Sequence, residues 1–263
     1  MARVSKAQGY SVLARYYDVF FTGHRKWYGL AREALLGKAL TKAKSACDVA
    51  CGTGSTAITL AGQGLRMFAV DLSSAMCDLA RLNAKKARAP VQVLHADMRS
   101  FRLPEKVDAV LCEFDAVNHV PHKSDLKLVA QSASRALAPG GHFYFDVNTR
   151  RVFQEQWPRP YYAEQGNVML MMQGGYDAQN DKGWMLANCF VRDGRRWRRL
   201  RERIEQVCWT PAEIRQTLRE AGFDKIRSVD AGELEFEGVG LPGFPKGLIT
   251  FYVAQKARNP SQT

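Results

Sequence analysis

The sequence predicts an α/β fold, a doubly wound and mostly parallel sheet of seven strands with an antiparallel β-sheet inserted late in the chain. Three observations predict it. Strand-like and helix-like segments alternate between residues 46 and 147, glycine turns follow strand ends, and this rhythm breaks between 151 and 208. Such alternation is typical of parallel strands that are joined by right-handed crossovers.

Hydrophobic periodicity gives the bounds of the individual elements. The predicted strands of the main sheet are 46–50, 66–70, 91–96, 107–112, 141–147, 224–230 and 247–255. The predicted helices between them are 55–63, 74–86 and 124–137. Ser73 and Ser74 are natural N-caps for the second of these helices. Thr210-Pro211-Ala-Glu213 predicts a further helix, because it reads as a capping box with proline at the first helical position.

The chain divides into three predicted regions. Residues 1–40 carry apolar and aromatic residues at helical spacing and form an N-terminal helical cap. Residues 41–150 and 209–257 form the main α/β domain, and 151–208 form an inserted antiparallel subdomain of three or four strands. Within the insertion, Asp193-Gly194 is a strong hairpin signal.

Length and composition bound the class of protein. A chain of 263 residues with 46% hydrophobic and 24% charged residues suits one globular α/β domain that carries an insertion. No apolar run approaches the roughly 20 residues of a membrane span, and the N-terminus lacks the apolar core of a signal peptide. The six cysteines lie mostly in apolar runs without the spacing of zinc ligands, so we expect buried thiols, no metal and a cytoplasmic protein.

The net charge of +12 leaves two interpretations of the basic residues. The densest cluster lies in the predicted hairpin at 192–203, whose flanks are predicted as two strands with arginines on a solvated face. Charge runs of this kind usually solvate a surface, and we expect that here. A nucleic-acid patch remains the alternative.

The stretch from 46 to 71 predicts a cofactor site. Gly52 and Gly54 follow the first strand and can take backbone angles that side chains forbid, so a ligand can lie directly on the main chain. The helix that begins at Ser55 points its unpaired N–H groups at the same place. Asp71 ends the neighbouring strand, where its carboxylate can accept two hydrogen bonds from a ribose diol. These features predict an adenosine-type cofactor.

Two kinds of adenosine cofactor fit the glycine turn. Gly52-x-Gly54-x-x-Ala57 matches the dinucleotide fingerprint, which leaves a nicotinamide-dependent oxidoreductase as one hypothesis. Asp48 favours S-adenosylmethionine (SAM), because a carboxylate just before the turn repels a pyrophosphate and attracts an aminoacyl ammonium. Asp97, at the end of the third strand, can accept a hydrogen bond from an adenine amino group, and the turn has no basic residue to balance a pyrophosphate.

Four motifs together resemble the class I SAM-dependent methyltransferases, whose sheet is Rossmann-like. They are Asp48-Val-Ala-Cys-Gly-Thr-Gly54, Val70-Asp71-Leu-Ser-Ser-Ala-Met76, Ala96-Asp97-Met98 and Leu137-Ala-Pro-Gly-Gly141. The resemblance implies SAM as cofactor, S-adenosylhomocysteine as product and an antiparallel last strand. It implies that the cofactor is held at its methionyl end by Asp48, Ala50, Gly52 and Gly54, at the ribose by Asp71, and at the adenine by Leu72, Met76, Asp97 and Met98. Ala50 stands where many members have glycine, which costs little if the position needs no positive φ.

The N-terminal region and the loop after the fourth strand supply the predicted methyl-transfer residues. The pattern from Tyr10 to Asp18, followed by an aromatic helix, resembles the start of glycine N-methyltransferase and aminosugar N,N-dimethyltransferases. The resemblance implies that Tyr17, and with it Tyr10 and Trp27, closes over SAM and lines the substrate pocket. It also implies that Phe114, His119 and Tyr17 frame the methyl group. His119 matches an active-site histidine of the aminosugar enzymes, and a surface loop histidine is the alternative.

We therefore predict a SAM-dependent methyltransferase of a small-molecule acceptor, with nitrogen or oxygen as the methylated atom. Methyl transfer from a sulfonium needs mainly in-line positioning and exclusion of water, so no metal or nucleophilic triad is required. An RNA methyltransferase that uses the hairpin 192–203 is one alternative, although the loop after the fourth strand lacks the signature of nucleic-acid amino methylases. A SAM-binding module without catalysis is another.

Overall fold

A computed structural model of the chain describes residues 14–236 and 244–258, and Tyr10 lies outside them. The described residues form two sheets and five α-helices. The helices are α1 (Ala14–Leu40), α2 (Ser55–Gly62), α3 (Ser74–Ala87), α4 (Asp125–Ala136) and α5 (Pro211–Glu220). The main sheet contains β1 (Ser45–Val49), β2 (Arg66–Asp71), β3 (Val91–His95), β4 (Val107–Cys112), β5 (Leu137–Asn148), β10 (Phe223–Asp230) and β11 (Ile249–Lys256). The inserted sheet contains β6 (Tyr161–Gln165), β7 (Val168–Asp177), β8 (Lys182–Asp193) and β9 (Arg196–Val207).

The main sheet has the order β10-β11-β5-β4-β1-β2-β3. The strand β1 pairs in parallel with β2 on one side and with β4 on the other. The order in which strands are added to the sheet therefore reverses at β1. The last strand, β11, runs antiparallel to both β5 and β10. The predicted fold class is therefore confirmed, and the switch point beside β1 is where open α/β sheets bind ligands.

Side chains of the central strands alternate between two hydrophobic clusters, one on each face of the main sheet. Cys47 and Val49 join the cluster that α4 and α5 cover, whereas Ala46 joins the cluster that α1, α2 and α3 cover. The strand β5 alternates in the same way, with Phe145 and Tyr144 on opposite faces. Both faces are thus covered by helices, as the period-2 pattern of a doubly wound sheet requires.

The predicted element bounds hold within a few residues, with two differences of substance. The strand β5 begins at Leu137, earlier than the predicted 141, because Leu137 pairs with Val107 before a bulge shifts the register to His142 opposite Ala109. The two aromatic segments of the N-terminal region belong to one helix of 27 residues, α1. The capping box at Thr210 is confirmed, with both of its hydrogen bonds present.

The inserted sheet packs against α1 and is linked to the main domain. Its inner face carries Val168, Leu170 and Cys189, which pack with Phe20 and Phe21 of α1. The hairpin predicted at Asp193-Gly194 joins β8 to β9. The arginines of β9 are exposed, and the guanidinium of one of them, Arg203, lies 5.0 Å from the ring centroid of Trp184.

Candidate active site

A cavity of about 290 Å³ opens at the carboxyl ends of β1, β2 and β4, at the switch point of the main sheet. Its lining includes three acids that follow or end different strands: Asp48, Asp71 and Asp97. The predicted residues Ala50, Gly52, Leu72, Met76, Met98, Phe114, His119 and Tyr17 also line it. The sequence-predicted cofactor residues are therefore brought together, with the exceptions of Gly54 and Trp27.

The glycine turn between β1 and α2 has a left-handed backbone at three positions. Gly52 and Gly54 have φ of 54° and 82°, and Ala50 has φ of 55°. The position of Ala50 thus does need a positive φ, so the condition under which alanine costs little is not met, and the strain amounts to about 1–2 kcal/mol. Gly54 is the N-cap of α2 and lies close to α3. A Cβ at this position would lie only 3.1 Å from that of Ala80, so a residue with a side chain would fit poorly here.

The carboxylate of Asp71 is held across the mouth of this turn. Its Oδ2 accepts from the backbone N–H of Gly52 at 2.8 Å, and its Oδ1 accepts from that of Ser73 at 2.8 Å. Burial raises the pKa of Asp71, and the two N–H groups oppose that shift. Each oxygen keeps a further lone pair, so the carboxylate can still accept from two hydroxyls of a ligand.

Asp48 is buried and lacks a partner for one oxygen. One side of its carboxylate accepts from the backbone of Ala57, and Oδ2 has no hydrogen-bond partner in the described part of the chain. Burial raises the pKa of Asp48 to about 8, with a contribution from Glu113 and an opposing one from Arg32. An unpaired acid oxygen in a ligand cavity is suited to a cationic ligand group and is unfavourable beside a diphosphate.

The far end of the cavity has the apolar character that a flat ring needs. Leu72 is 41% exposed and Met76 is buried, and both contribute to the lining beside Met98. Asp97 is held by Arg99, which donates from Nη2 to its Oδ2 at 2.6 Å and from its backbone N–H to Oδ1 at 2.8 Å. These bonds outweigh burial and lower the pKa of Asp97, so the group is a fixed carboxylate acceptor.

The helix α1 covers the cavity on the side of the glycine turn. Arg25 and Asp18 of this helix form an ion pair, and both bond the hydroxyl of Thr53, at 3.0 Å and 2.8 Å. Tyr17, the residue before Asp18, also lines the cavity, and burial raises its pKa, so its hydroxyl stays protonated. Trp27 lies elsewhere, in an aromatic cluster that includes Phe251, and does not line the cavity.

The loop after β4 adopts a strained conformation. Phe114 and Asp115 have φ of 63° and 48°, which is uncommon for residues with a side chain. Tyr28 stacks on Phe114 with a centroid distance of 4.1 Å, and its hydroxyl donates to Asp146 at 2.8 Å. The same oxygen of Asp146 accepts from the backbone N–H of Asp115 at 2.9 Å. These contacts hold the two left-handed residues in place, and strain of this kind clusters at functional sites.

A second cavity, of about 160 Å³, adjoins the first and lies between α1 and the inserted sheet. Its walls include Tyr16, Phe20 and Phe21 of α1 and Leu170, Met172 and Ile204 of the sheet. Tyr17 and Ile204 line both cavities, and Asp115 of the strained loop lies in the second. The two cavities therefore meet at the loop after β4.

A buried amide network links this loop to β5 and β9. Asn118 donates to the carbonyls of Asn148 and Val207 and accepts from the N–H of Asn148 at 2.9 Å. Asn148 in turn donates to Oε1 of Gln206 at 3.0 Å. The inserted sheet is thus fixed to the main domain directly beneath the second cavity.

Gln206 contacts both His119 and Asp115. Its Nε2 donates to Oδ2 of Asp115 and lies 2.8 Å from Nε2 of His119. The amide nitrogen is a donor, so the contact places it to donate to this histidine nitrogen. His119 also lies 3.5 Å from Asp115. The predicted residue therefore reaches the cavity, and its Nε2 is engaged by an amide.

Several residues that shape the site were not predicted. Arg32 of α1 forms a bidentate pair with Glu113, at 2.8 Å and 2.7 Å, beneath the first cavity. Arg25 and Asp115 line the two cavities. Asn148 and Gln206 carried no local signal, since their role depends on contacts between residues 58 positions apart. Asp115 lies in the loop that contains the predicted residues Phe114 and His119, but its own role was not predicted.

Comparison with known proteins agrees with this geometry. Residues 46–141 match the family model described as a methyltransferase domain, Methyltransf_25. YqeM of Bacillus subtilis is 28% identical over 182 residues, which is 68% of this chain and 73% of that protein. The dTDP-3-amino-3,4,6-trideoxy-alpha-D-glucopyranose N,N-dimethyltransferase of Streptomyces venezuelae is 28% identical, covering 78% of this chain and 76% of that protein. An S-adenosylmethionine-dependent methyltransferase from Clostridium acetobutylicum has the same fold, with a TM-score of 0.76, 21% identity and coverage of 95% and 100%.

The fold and the acid-lined cavity define an α/β enzyme that binds a nucleoside cofactor at its switch point. The match of residues 46–141 to a methyltransferase domain, together with the shared fold, supports a SAM-dependent methyltransferase enzyme. The residues fit this cofactor, because the unpaired oxygen of Asp48 suits the methionyl ammonium and Asp71 suits a ribose diol. The name of neither sequence relative mentions nucleic acid, so the RNA hypothesis gains no support from them.

Two general features of the chain complete the description. None of the described helices is both long and apolar enough to cross a membrane. Within residues 14–236 and 244–258, no group of three or more metal-ligating side chains is placed to hold an ion.

Proposed function

We propose that this enzyme transfers the methyl group of SAM to a nitrogen or oxygen atom of a small molecule bound between α1 and the inserted sheet. The observation that carries the proposal is the junction of the two cavities at Tyr17 and Ile204. An acceptor in the second cavity would face the cofactor cavity through this junction. The enzyme from Streptomyces venezuelae, an N,N-dimethyltransferase of an aminosugar nucleotide by name, supports a small acceptor.

The cofactor would be held by residues at three strand ends. Asp48 would pair with its ammonium, Arg25 with its carboxylate and Asp71 with its ribose, while Leu72 and Met76 would pack on the adenine. The backbone of Ala50 and Gly52 would lie against the methionyl chain, and Asp97 and Met98 would meet the adenine edge. When bound, SAM supplies a methyl group that its sulfonium already activates.

The protein then has to orient the acceptor and exclude water. Tyr17 and Phe114 would close the junction around the methyl group, and proximity of this kind is worth about 7–11 kcal/mol. His119 would shape the loop side of the junction, with its Nε2 held by Gln206 at 2.8 Å. Gly54 would contribute by allowing α2 to pack on α3, as its contact with Ala80 indicates.

The regions of the chain have separate roles in this proposal. The N-terminal region 1–40 would act as a cap over both cavities, and 151–208 would supply the acceptor wall. Residues 41–150 and 209–257 would bind the cofactor. We also propose that the enzyme works in the cytoplasm on a small molecule and without a nucleic-acid partner, since its six buried thiols suit a reducing compartment.

Two measurements test the proposed function. Calorimetric titration should show binding of S-adenosylhomocysteine and none of NAD, and the reverse would refute the assignment. Incubation with SAM and a broad panel of amines, alcohols and phenols should yield a product that has gained one methyl group by mass spectrometry. Cofactor binding without transfer to any of the panel would favour the SAM-binding module instead.

A further inference from the structure

The second cavity is apolar over most of its wall. The helix α1 contributes the rings of Phe20 and Phe21, and the inserted sheet contributes Leu170, Met172 and Ile204. A sugar placed here would bury several hydroxyls against carbon atoms, and each hydroxyl left unpaired would weaken binding. An apolar body would instead gain from its burial.

Two polar side chains of this cavity differ in how far they are engaged. The amide of Gln206 accepts from Asn148 and donates to Asp115 and His119, so its oxygen and both its N–H groups are in use. Asp115 accepts from Gln206 at Oδ2, and none of the described residues donates to its Oδ1. The described lining also includes the polar ends of Tyr16 and Asn148, but no lysine or arginine. Asp115 is therefore the one acid that the described lining offers a ligand.

The charge of this acid distinguishes nitrogen from oxygen as the acceptor atom. When an amine is methylated, positive charge moves from sulfur to nitrogen, and a carboxylate that accepts from the amine N–H stabilises that charge more as it develops. A hydroxyl must instead become an oxyanion or approach one, and a carboxylate beside it opposes that change. The described wall has no cation to compensate.

The size of the cavity indicates which part of an acceptor it can enclose. Its volume of about 160 Å³ is close to that of an apolar protein cavity of about 150 Å³ that holds a single benzene molecule. One ring, or an aliphatic group of similar size, therefore fills the space between α1 and the sheet. A sugar nucleotide exceeds it.

We propose that the acceptor is a compact apolar amine, with a body the size of one ring and its nitrogen hydrogen-bonded to Asp115. This inference rests on the proposed function and names the substrate class of the same site. The ammonium form of the acceptor first loses a proton to solvent. The nitrogen lone pair then forms the new N–C bond while the carbon–sulfur bond breaks, its electron pair stays on sulfur, and the product leaves as a methylammonium.

The test uses the full chain saturated with S-adenosylhomocysteine, which permits binding without turnover. Benzylamine and benzyl alcohol, which differ only in the polar atom, are titrated by calorimetry at pH 8. We expect benzylamine to bind at least tenfold more tightly. Asp115→Asn, which keeps a residue type that tolerates a left-handed backbone, should remove at least tenfold of the benzylamine affinity and leave benzyl alcohol unchanged.

Two controls separate the acid from its surroundings. Asp78→Asn makes the same chemical change on the exposed surface of α3, where Asp78 pairs with Arg81, and should leave benzylamine binding unchanged. Met172→Gln keeps the length of a wall residue and adds a polar group, so it should weaken both ligands by a similar factor. All three variants should bind S-adenosylhomocysteine as the parent does, which verifies the fold and the cofactor site.

With SAM in place of its product, benzylamine should gain a methyl group on nitrogen, and kcat/KM should rise with pH up to the pKa of the amine. The inference is overturned if benzyl alcohol binds as tightly as benzylamine or if Asp115→Asn binds benzylamine normally. It is also overturned if the enzyme methylates phenols or an aminosugar nucleotide and no apolar amine. In that case the proposed function still stands, whereas a failure to bind S-adenosylhomocysteine would refute the proposed function itself.

Discussion

The affinity for S-adenosylhomocysteine is expected to depend on pH through Asp48. This acid is buried and has one oxygen without a partner among the described residues, and burial raises its pKa to about 8. At neutral pH the side chain is therefore mostly protonated in the free enzyme. A ligand ammonium beside it favours the carboxylate, so binding below pH 8 should release a proton.

The magnitude follows from the ionised fraction. For a pKa of about 8, that fraction rises about 25-fold between pH 6.0 and 7.5, so the dissociation constant should fall by about the same factor. At pH 7 about nine-tenths of the side chains are protonated, which weakens binding by about 1.4 kcal/mol relative to the ionised form. The ligand amine stays protonated in this range, and the dependence levels off above pH 8.

Calorimetry measures both consequences. Titrations at pH 7 in two buffers with different ionisation enthalpies should report release of close to one proton, and titrations across pH 6.0–7.5 should give the affinity series. Asp48→Asn should abolish the proton release and flatten the series, since an amide does not titrate. A dissociation constant that is independent of pH in the parent, or a slope that survives in Asp48→Asn, would refute the reasoning.

The stability of the free enzyme should also depend on pH through Asp48. Because the folded-state pKa lies above the unfolded value, the unfolded chain loses its proton first as the pH rises past about 4. The stabilisation that neutral Asp48 supplies is complete below that pH and is lost as the pH rises towards about 8. Asp48→Asn should therefore raise the urea midpoint at pH 8 more than at pH 4, and an equal change at both would contradict the linkage.

Three further predictions concern other residues. Asp71→Ala should weaken binding of S-adenosylhomocysteine by about 100-fold, because two hydrogen bonds to a charged group are worth about 3 kcal/mol together. Asp71→Asn should lose less affinity, and calorimetry that finds full affinity in the alanine variant would exclude a ribose contact. Ala50→Gly should stabilise the free enzyme by up to about 1 kcal/mol, since relief of the positive φ exceeds the added freedom of the unfolded chain, and a lower urea midpoint would contradict this. Arg32→Met should lower the free energy of unfolding by about 3–5 kcal/mol, because it leaves Glu113 charged and buried. The double variant with Glu113→Leu should recover most of this loss, and urea unfolding that finds no recovery would show that the two residues are not coupled.

Most residues of the candidate cofactor cavity could be predicted to lie together, because their determinants are local in sequence. Asp48, Gly52 and Asp71 each sit at the end of a strand or in the turn that follows it, and parallel strands bring those ends together. The positions of these residues in the sequence therefore indicate that they lie close together in the folded chain. The backbone angle of Ala50 could not be predicted, since an alanine gives no indication of the positive φ of 55° that it adopts.

The face of a long helix was harder to predict than its existence. Tyr17 and Trp27 were both proposed from the aromatic pattern, yet ten residues of helix turn the second by about 280° from the first. Tyr28, one position later, returns to within about 20° of the direction of Tyr17, and it is Tyr28 that stacks on Phe114. Periodicity thus locates the helix, and only the packing of α1 on the sheet selects the residue.

The acceptor half depends on contacts that the sequence does not announce. Asp115 enters the second cavity because two successive residues adopt a left-handed backbone, and Gln206, which bonds it, lies 91 positions away. Neither condition leaves a periodic or motif signal. The residues that surround the acceptor therefore could not be predicted beyond the loop after β4.

The features that oppose stability are concentrated where the ligands are proposed to bind. Of the five described non-glycine residues with positive φ, three lie in the lining of the two cavities: Ala50, Phe114 and Asp115. Asp48 adds a buried acid oxygen without a partner. A ligand that binds only the folded state stabilises it in proportion to the logarithm of its concentration over its dissociation constant, so pairing Asp48 offsets part of this strain. The strained loop and the unpaired acid are therefore best explained together, as the cost of a site that is complete only when the cofactor and the acceptor are bound.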